Sequence, residues 1–294
     1  MSVTTSATKN APLRTRSFAP AHADFSQETE HVQAPTTSRS KVAERTFSLL
    51  PPVVLALVLL LGWYISTASI HSAAINLFLP NPADVLSSLS DGISSGMFWN
   101  YVVVTVQESI LGFLLAVAIA FPLGYGLVKS RLLSRAVHPY LAAGQAIPAV
   151  VIAPLLGLWL GYGKMTNMII CMLVVFFPMV MNTVLGLQTM DREVVDAARV
   201  EGASGWSLLA NIEFPLALPA ILTAIRTGFT LSITGALVGE LVVGGDQGLG
   251  ALVMQAYHNY NTPLMFATLV ILAALAALYY GSTWLLVKLA NTVY

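Results

Sequence analysis

Apolar stretches long enough to cross a hydrocarbon core of ~30 Å as helices recur along this chain. They lie at about Leu49–Ile70, Tyr101–Val128, Pro139–Leu160, Asn167–Leu187, Ala217–Val243 and Pro263–Leu289. The pattern predicts an all-α membrane protein with six transmembrane helices. The segment ahead of them is different. Residues 1–46 are rich in Ser, Thr, Ala, Pro and charge, hold few large aliphatics and show no period. Such a segment cannot bury enough apolar surface to offset its chain entropy, and it reads as a disordered tail before a transmembrane domain at 47–294. It is too long for the n-region of a cleaved signal, and the later spans hold the chain in the membrane in any case.

Composition agrees with the pattern. Hydrophobic residues make up 56% of the 294 residues and charged residues 10%, where a soluble domain carries roughly 25% charged residues. Lys+Arg 14 against Asp+Glu 14 gives no net charge, so no basic field exists to attract nucleic acid. The single Cys171 cannot form an intramolecular disulfide. Six spans put both termini on one side, where twelve of the fourteen Lys and Arg then fall. Lys164 faces the other side and Arg226 lies inside a span. The positive-inside rule makes the crowded side, with both termini, cytoplasmic. Pro122, Pro148, Pro154, Pro178 and Pro219 fall within spans and predict kinks. Gly157 and Gly161 have a close-packing spacing that ordinary bundle contacts explain.

The usual catalytic patterns fail. Gly161-Tyr-Gly163-Lys164-Met165-Thr166 lacks the glycine and hydroxyl that a phosphate loop needs at 158 and 165. Gly244, Gly245, Gly248 and Gly250 follow no soluble strand, as a dinucleotide site requires. The five His are scattered and offer no metal set.

One polar loop stands apart, in the region 188–215. Gln188–Glu213 reads QTMDREVVDAARVEGASGWSLLANIE. Val194, Val195, Ala197 and Ala198 suit a short helix, with Gly202 as its left-handed stop. Ser204 is placed to cap a second short helix through Leu208, Leu209 and Ile212, and Pro215 and Pro219 limit how the next span begins. A helix-turn-helix DNA reader is one alternative, but Asp191, Glu193, Asp196, Glu201 and Glu213 outweigh Arg192 and Arg199. A phosphate-binding surface would be basic. The acidic knuckle suits a cleft on a protein instead.

Asp196-Ala197-Ala198, three residues, Gly202, nine residues, then Ile212-x-Phe214-Pro215 resembles the EAA loop of binding-protein-dependent ABC transporter permeases. The family pattern has Glu where this chain has Asp196 and Leu where it has Phe214; the two departures keep charge and apolarity. The resemblance runs from about Asn81 to the C-terminus. It implies a six-helix type I importer permease that pairs with a second copy of itself. It also implies a coupling helix (Asp196, Ala197, Ala198, Gly202, Ile212, Pro215) seated in a cytoplasmic ATPase subunit, and an external substrate-binding protein. ATP and Mg would belong to the ATPase, with no cofactor on this chain. Leu79-Pro80-Asn81-Pro82, Gln145-Ala146-Ile147-Pro148 and Gly248-Leu249-Gly250 resemble the nitrate/sulfonate/taurine group. Thr105-Val106-Gln107-Glu108 and Phe177-Pro178 resemble members proposed to import heteroaromatic vitamins or precursors, of the thiamine pyrimidine or riboflavin kind.

An ion-gradient carrier or intramembrane enzyme is the competing class, and it would place ionisable groups deep in its spans. Only Glu108, Arg226 and Glu240 qualify. Glu108 lies about 10 Å below the outer surface and Arg226 about 13 Å above the inner one, at ~1.5 Å per residue. Those heights predict a Glu108–Arg226 pair, with Glu240 near the outer rim. Glu108, Gln145, Arg226 and Glu240 are the candidate substrate-path residues, Glu108 as an acceptor for an amino-bearing heterocycle.

Overall fold

The computed structural model describes residues 41–69, 78–245 and 247–293. The chain divides at Leu55 into two units. The described part of the first is the start of helix α1 (Lys41–Ser69). Lys41–Thr46, assigned to the tail by composition, are already helical; residues 1–40 of that expected tail lie outside the described residues. The second unit, from Ala56 onwards, holds the elements that follow.

The long apolar helices are α3 (Met97–Lys129), α6 (Lys164–Gln188), α9 (Phe214–Val242) and α11 (Thr262–Val293). Between them lie α2 (Pro82–Ser94), α4 (Arg131–Ala146), α5 (Ala149–Leu160), α7 (Arg192–Val200), α8 (Gly205–Leu208) and α10 (Leu249–His258). Asn81 starts α2 by accepting from Ala83 N at 3.0 Å, and Pro82 takes the first turn, where its missing N–H costs nothing.

Four helices among the described residues are long and apolar enough to cross a membrane, and a bent pair supplies a fifth. Among the described residues these account for five of the six expected spans. The first predicted span contains a shorter apolar helix, Val53–Ala68. The third, Pro139–Leu160, is not one rod: α4 and α5 meet at 98°. Pro148 explains the elbow. It lacks an N–H and pushes the residue before it out of the helical region, and Ile147 is extended at φ −86° and ψ 117°. Gln145 sits just before this bend.

In lipid, helices gain little from hiding apolar surface from one another, so close packing of small residues holds the bundle together. Helices α3, α6 and α9 form its centre, around Phe113, Ala116, Ala120, Cys171, Val175 and Met179. Cys171 is fully buried, and its thiol donates to Ser232 O at 3.2 Å. Gly112 of α3 and Gly235 of α9 wall it in. A methyl at Gly112 would meet the Cys171 Sγ at 2.6 Å, and one at Gly235 would meet its Cα at 2.7 Å. The three helices touch because two of them have no side chain at the crossing.

Candidate functional site

The polar knuckle is built on α7. Asp191 caps it, accepting from Glu193 N at 2.9 Å. The helix ends in a paired closure: Gly202 N donates to Arg199 O at 3.0 Å, and Ala203 N donates to Ala198 O at 2.9 Å. That closure requires a left-handed residue at 202, and Gly202 has φ +96°. The three-residue spacing between Ala198 and Gly202 is thus the geometry of one helix stop. Val195 is the side chain of α7 that turns inward. Asp196 and Ala197 are exposed, as are Val200 at 89% and Trp206 at 79%.

The second half of the loop departs from the sequence reading. Ser204 occupies the cap position, but its side chain makes no capping bond. Helix α8 is four residues long and passes through a π-helical turn, Leu209–Glu213, directly into α9. The second short helix is therefore the base of the next span, continuous over Gly205–Val242. Pro215 does not break it, because the wide turn before it bonds Phe214 N to Leu209 O and relieves the tight ladder that proline obstructs. Ile212 and Pro215 are half-buried in this base.

Glu213, one of the residues that sequence reading counted only as charge, is the centre of the loop's chemistry. It is 2% exposed. Lys129 at the end of α3 donates to its Oε1, and Tyr125 OH donates to its Oε2 at 3.2 Å. Arg199 Nη2 lies 3.9 Å from Oε1, while Arg199 Nη1 pairs with Asp196 at 2.9 Å. A chain of alternating charge runs from exposed Asp196 through Arg199 and Glu213 to Lys129. These groups border a cavity of about 330 Å³ with Arg131 and Arg192.

A second polar cluster lies towards the other end of the bundle. Thr105, Glu108, Asn167 and Glu240 are each 0–1% exposed. Thr105 Oγ1 donates to Glu240 Oε1 at 2.7 Å and accepts from Leu249 N at 2.8 Å. Gly250 N donates to Glu240 Oε2 at 2.5 Å. The Gly248-Leu249-Gly250 motif is explained by this contact: Gly248 has φ +120°, and a methyl there would sit 2.4 Å from the Glu240 carboxyl carbon. The glycines cradle a carboxylate of the same chain. Glu108 Oε1 accepts from Asn167 Nδ2 at 3.3 Å. Glu108 Oε2 and Asn167 Oδ1 have no hydrogen-bond partner among the described residues.

The structure brings Glu108 and Glu240 together and leaves the other two candidate path residues elsewhere. Glu240 stands two residues before the end of α9 and is fully buried beneath the start of α10. The predicted Glu108–Arg226 pair does not form. Arg226 lies 5.1 Å from the ring centre of Tyr280 on α11. Height alone suggested the pair, and helical phase overrules it. Gly228, two residues on and about 200° round the helix, is the position facing Val175 and Phe113. Gln145 is exposed at the elbow, beside a cavity of about 490 Å³ with Pro148, Phe177 and Pro178. Thr105 and Asn167 were not singled out as a bonded set by sequence, although the Thr105–Glu108 string contained half of it.

Comparison with known proteins agrees with this arrangement. Residues 108–290 match the family described as binding-protein-dependent transport system inner membrane component. The riboflavin transport system permease protein RibX of Chloroflexus aurantiacus is 41% identical over 238 residues, 81% of this chain and 87% of that protein. The formylaminopyrimidine transport permease protein ThiX of Halalkalibacterium halodurans is 29% identical over 235 residues, 80% of this chain and 92% of that one. In fold, an inward-facing structure of the MetNI methionine ABC transporter matches with a TM-score of 0.59 at 21% identity, over 66% of this chain and 97% of that one. The chain belongs to the binding-protein-dependent inner membrane components: it is a multi-pass permease of an ABC importer, and ATP hydrolysis belongs to a separate subunit.

Proposed function

We propose that two copies of this permease enclose the path for a small heteroaromatic solute delivered by an external binding protein. Each knuckle docks into a cytoplasmic ATPase subunit that holds ATP and Mg. The observation that carries this reading is the closed end of α7, where Val200 and Trp206 project almost fully exposed beside Asp196 and Ala197. Large apolar side chains presented on a short rigid helix outside the bundle fit a protein cleft. This reading puts both termini on the side of the knuckle, in line with the distribution of Lys and Arg along the sequence.

The solute class follows from the riboflavin and formylaminopyrimidine permeases among the relatives. Arg226 against Tyr280 offers a cationic and aromatic surface suited to a flat heterocycle. Glu108 is enclosed in this conformation and meets no solute in it. Gln145 and Arg226 remain the accessible path residues. The residues 108–290 that match the permease family set the gradient-driven carrier and the intramembrane enzyme aside.

The test is reconstitution of the permease with its ATPase and binding protein in vesicles. Riboflavin, an aminopyrimidine and taurine are then offered in turn, with uptake and ATP hydrolysis measured together. Uptake of either heterocycle but not taurine supports the reading. Uptake of taurine alone overturns the solute class, and a permease that copurifies with no ATPase overturns the docking assignment.

A further inference from the structure

The knuckle joins the bundle by two routes. One is the chain itself, through α6 before it and α9 after it. The other jumps to α3, which is remote in sequence: Lys129 and Glu213 are 84 residues apart. Glu213 is nearly inaccessible, and its carboxylate takes Lys129 and Arg199 on one oxygen and Tyr125 on the other. Lys129 Nζ also lies 5.4 Å from the ring centre of Tyr125, so both α3 groups close on the same carboxylate. On the knuckle side, Arg199 ties the network to exposed Asp196 at 2.9 Å. The carboxylate stands at the end of the π-helical turn, a widened turn of the kind that accumulates at functional sites.

We infer that the Glu213–Lys129 pair is the strut that carries knuckle displacement directly into α3, with Arg199 linking it to the docking face. The inference rests on the docking of the knuckle to an ATPase proposed above. Without the strut, motion imposed on α7 reaches the bundle only through α6 and α9. With it, all three central helices receive the motion at once. Energetic coupling between distant sites travels through such contiguous charged and packed groups when both ends bias the same element. Lys129 and Glu213 are positioning residues here and touch neither ATP nor solute.

The experiment compares hydrogen exchange of the assembled permease–ATPase complex without nucleotide and with ATP plus vanadate. In the wild type, trapping should change exchange both in 192–213 and in 123–129. In Lys129→Met the change at 123–129 should fall about threefold or more, with the change at 192–213 kept. Lys129→Arg should restore the response, which a purely structural role would not require. Tyr125→Phe removes only the Oε2 bond and gives a milder version of the same loss if Lys129→Met does not assemble. A full response at 123–129 in both Lys129→Met and Tyr125→Phe overturns the strut. Loss of the ATPase from the Tyr125→Phe complex also overturns it, since the network would then shape the docking face itself. Failure of the wild-type permease to bind an ATPase is a different result, and it sinks the docking assignment rather than the strut.

Discussion

The two polar clusters of this permease solve the same problem, a buried carboxylate, in opposite ways. Glu213 at the knuckle end is answered by full charges on long side chains, Lys129 and Arg199, and by the Tyr125 hydroxyl. Glu240 is answered by short, neutral donors: the Thr105 hydroxyl and the Gly250 N–H, held by glycines that let the backbone close over it. Long charged side chains can follow a moving partner, whereas a backbone cradle cannot. The Glu213 cluster is therefore suited to transmit displacement and the Glu240 cradle to fix α10 in place. Beside the cradle, Glu108 Oε2 and Asn167 Oδ1 accept no hydrogen bond from any donor among the described residues. A buried acceptor without a donor forfeits the hydrogen bonds it would make in water. Wetting that part of the cluster regains bonds, while separating Glu213 from Lys129 loses them. Rearrangement thus costs less at Glu108 than at Glu213.

The contrast can be broken first at the cradle. Gly248→Ala puts a methyl where the Glu240 carboxyl stands and strains a φ of +120°. It should destabilise the permease by about 2–4 kcal/mol, read as a lower midpoint in thermal unfolding in detergent. Glu240→Gln is gentler. Its amide must face either Gly250 N–H or the Thr105 hydroxyl, and both are already donating to it. The expected loss is about 1–3 kcal/mol in the same assay. An unchanged midpoint in both variants would show that the cradle does not fix α10.

The knuckle should respond differently, with function lost before stability. Gly202→Val forces a β-branched residue to φ +96°, a local cost of about 1–2 kcal/mol. The midpoint should fall less than in Gly248→Ala, while copurification of the ATPase is lost. Asp196→Asn should change stability least, by about 0–1 kcal/mol, because its pair with Arg199 is exposed. Its effect should show in the ATPase binding isotherm alone. A large drop in midpoint for either variant would erase the distinction between the clusters.

Local features were legible in the sequence and long-range ones were not. The stop at Gly202 follows from a glycine placed four residues after Ala198, and the structure closes the helix there. The start of α2 follows from Asn81 and Pro82. Pro148 was read as a kink within one span, yet it splits that span through 98°, because a proline marks where a helix can bend and not how far. The partner of Glu213 was invisible because it lies on another helix, and Lys129 had served only as a marker of orientation. The glycines at 248 and 250 were legible as a motif and illegible as a cradle, since nothing in a linear string says which carboxylate fills the space.

Cys171 has a practical consequence. It is the sole cysteine of the chain and fully buried, between glycines whose missing side chains let α3 and α9 press against it. A maleimide can reach that sulfur only while the three central helices stand apart. The rate of alkylation of the unmodified protein is then a clock for their separation, readable by mass spectrometry without an engineered label.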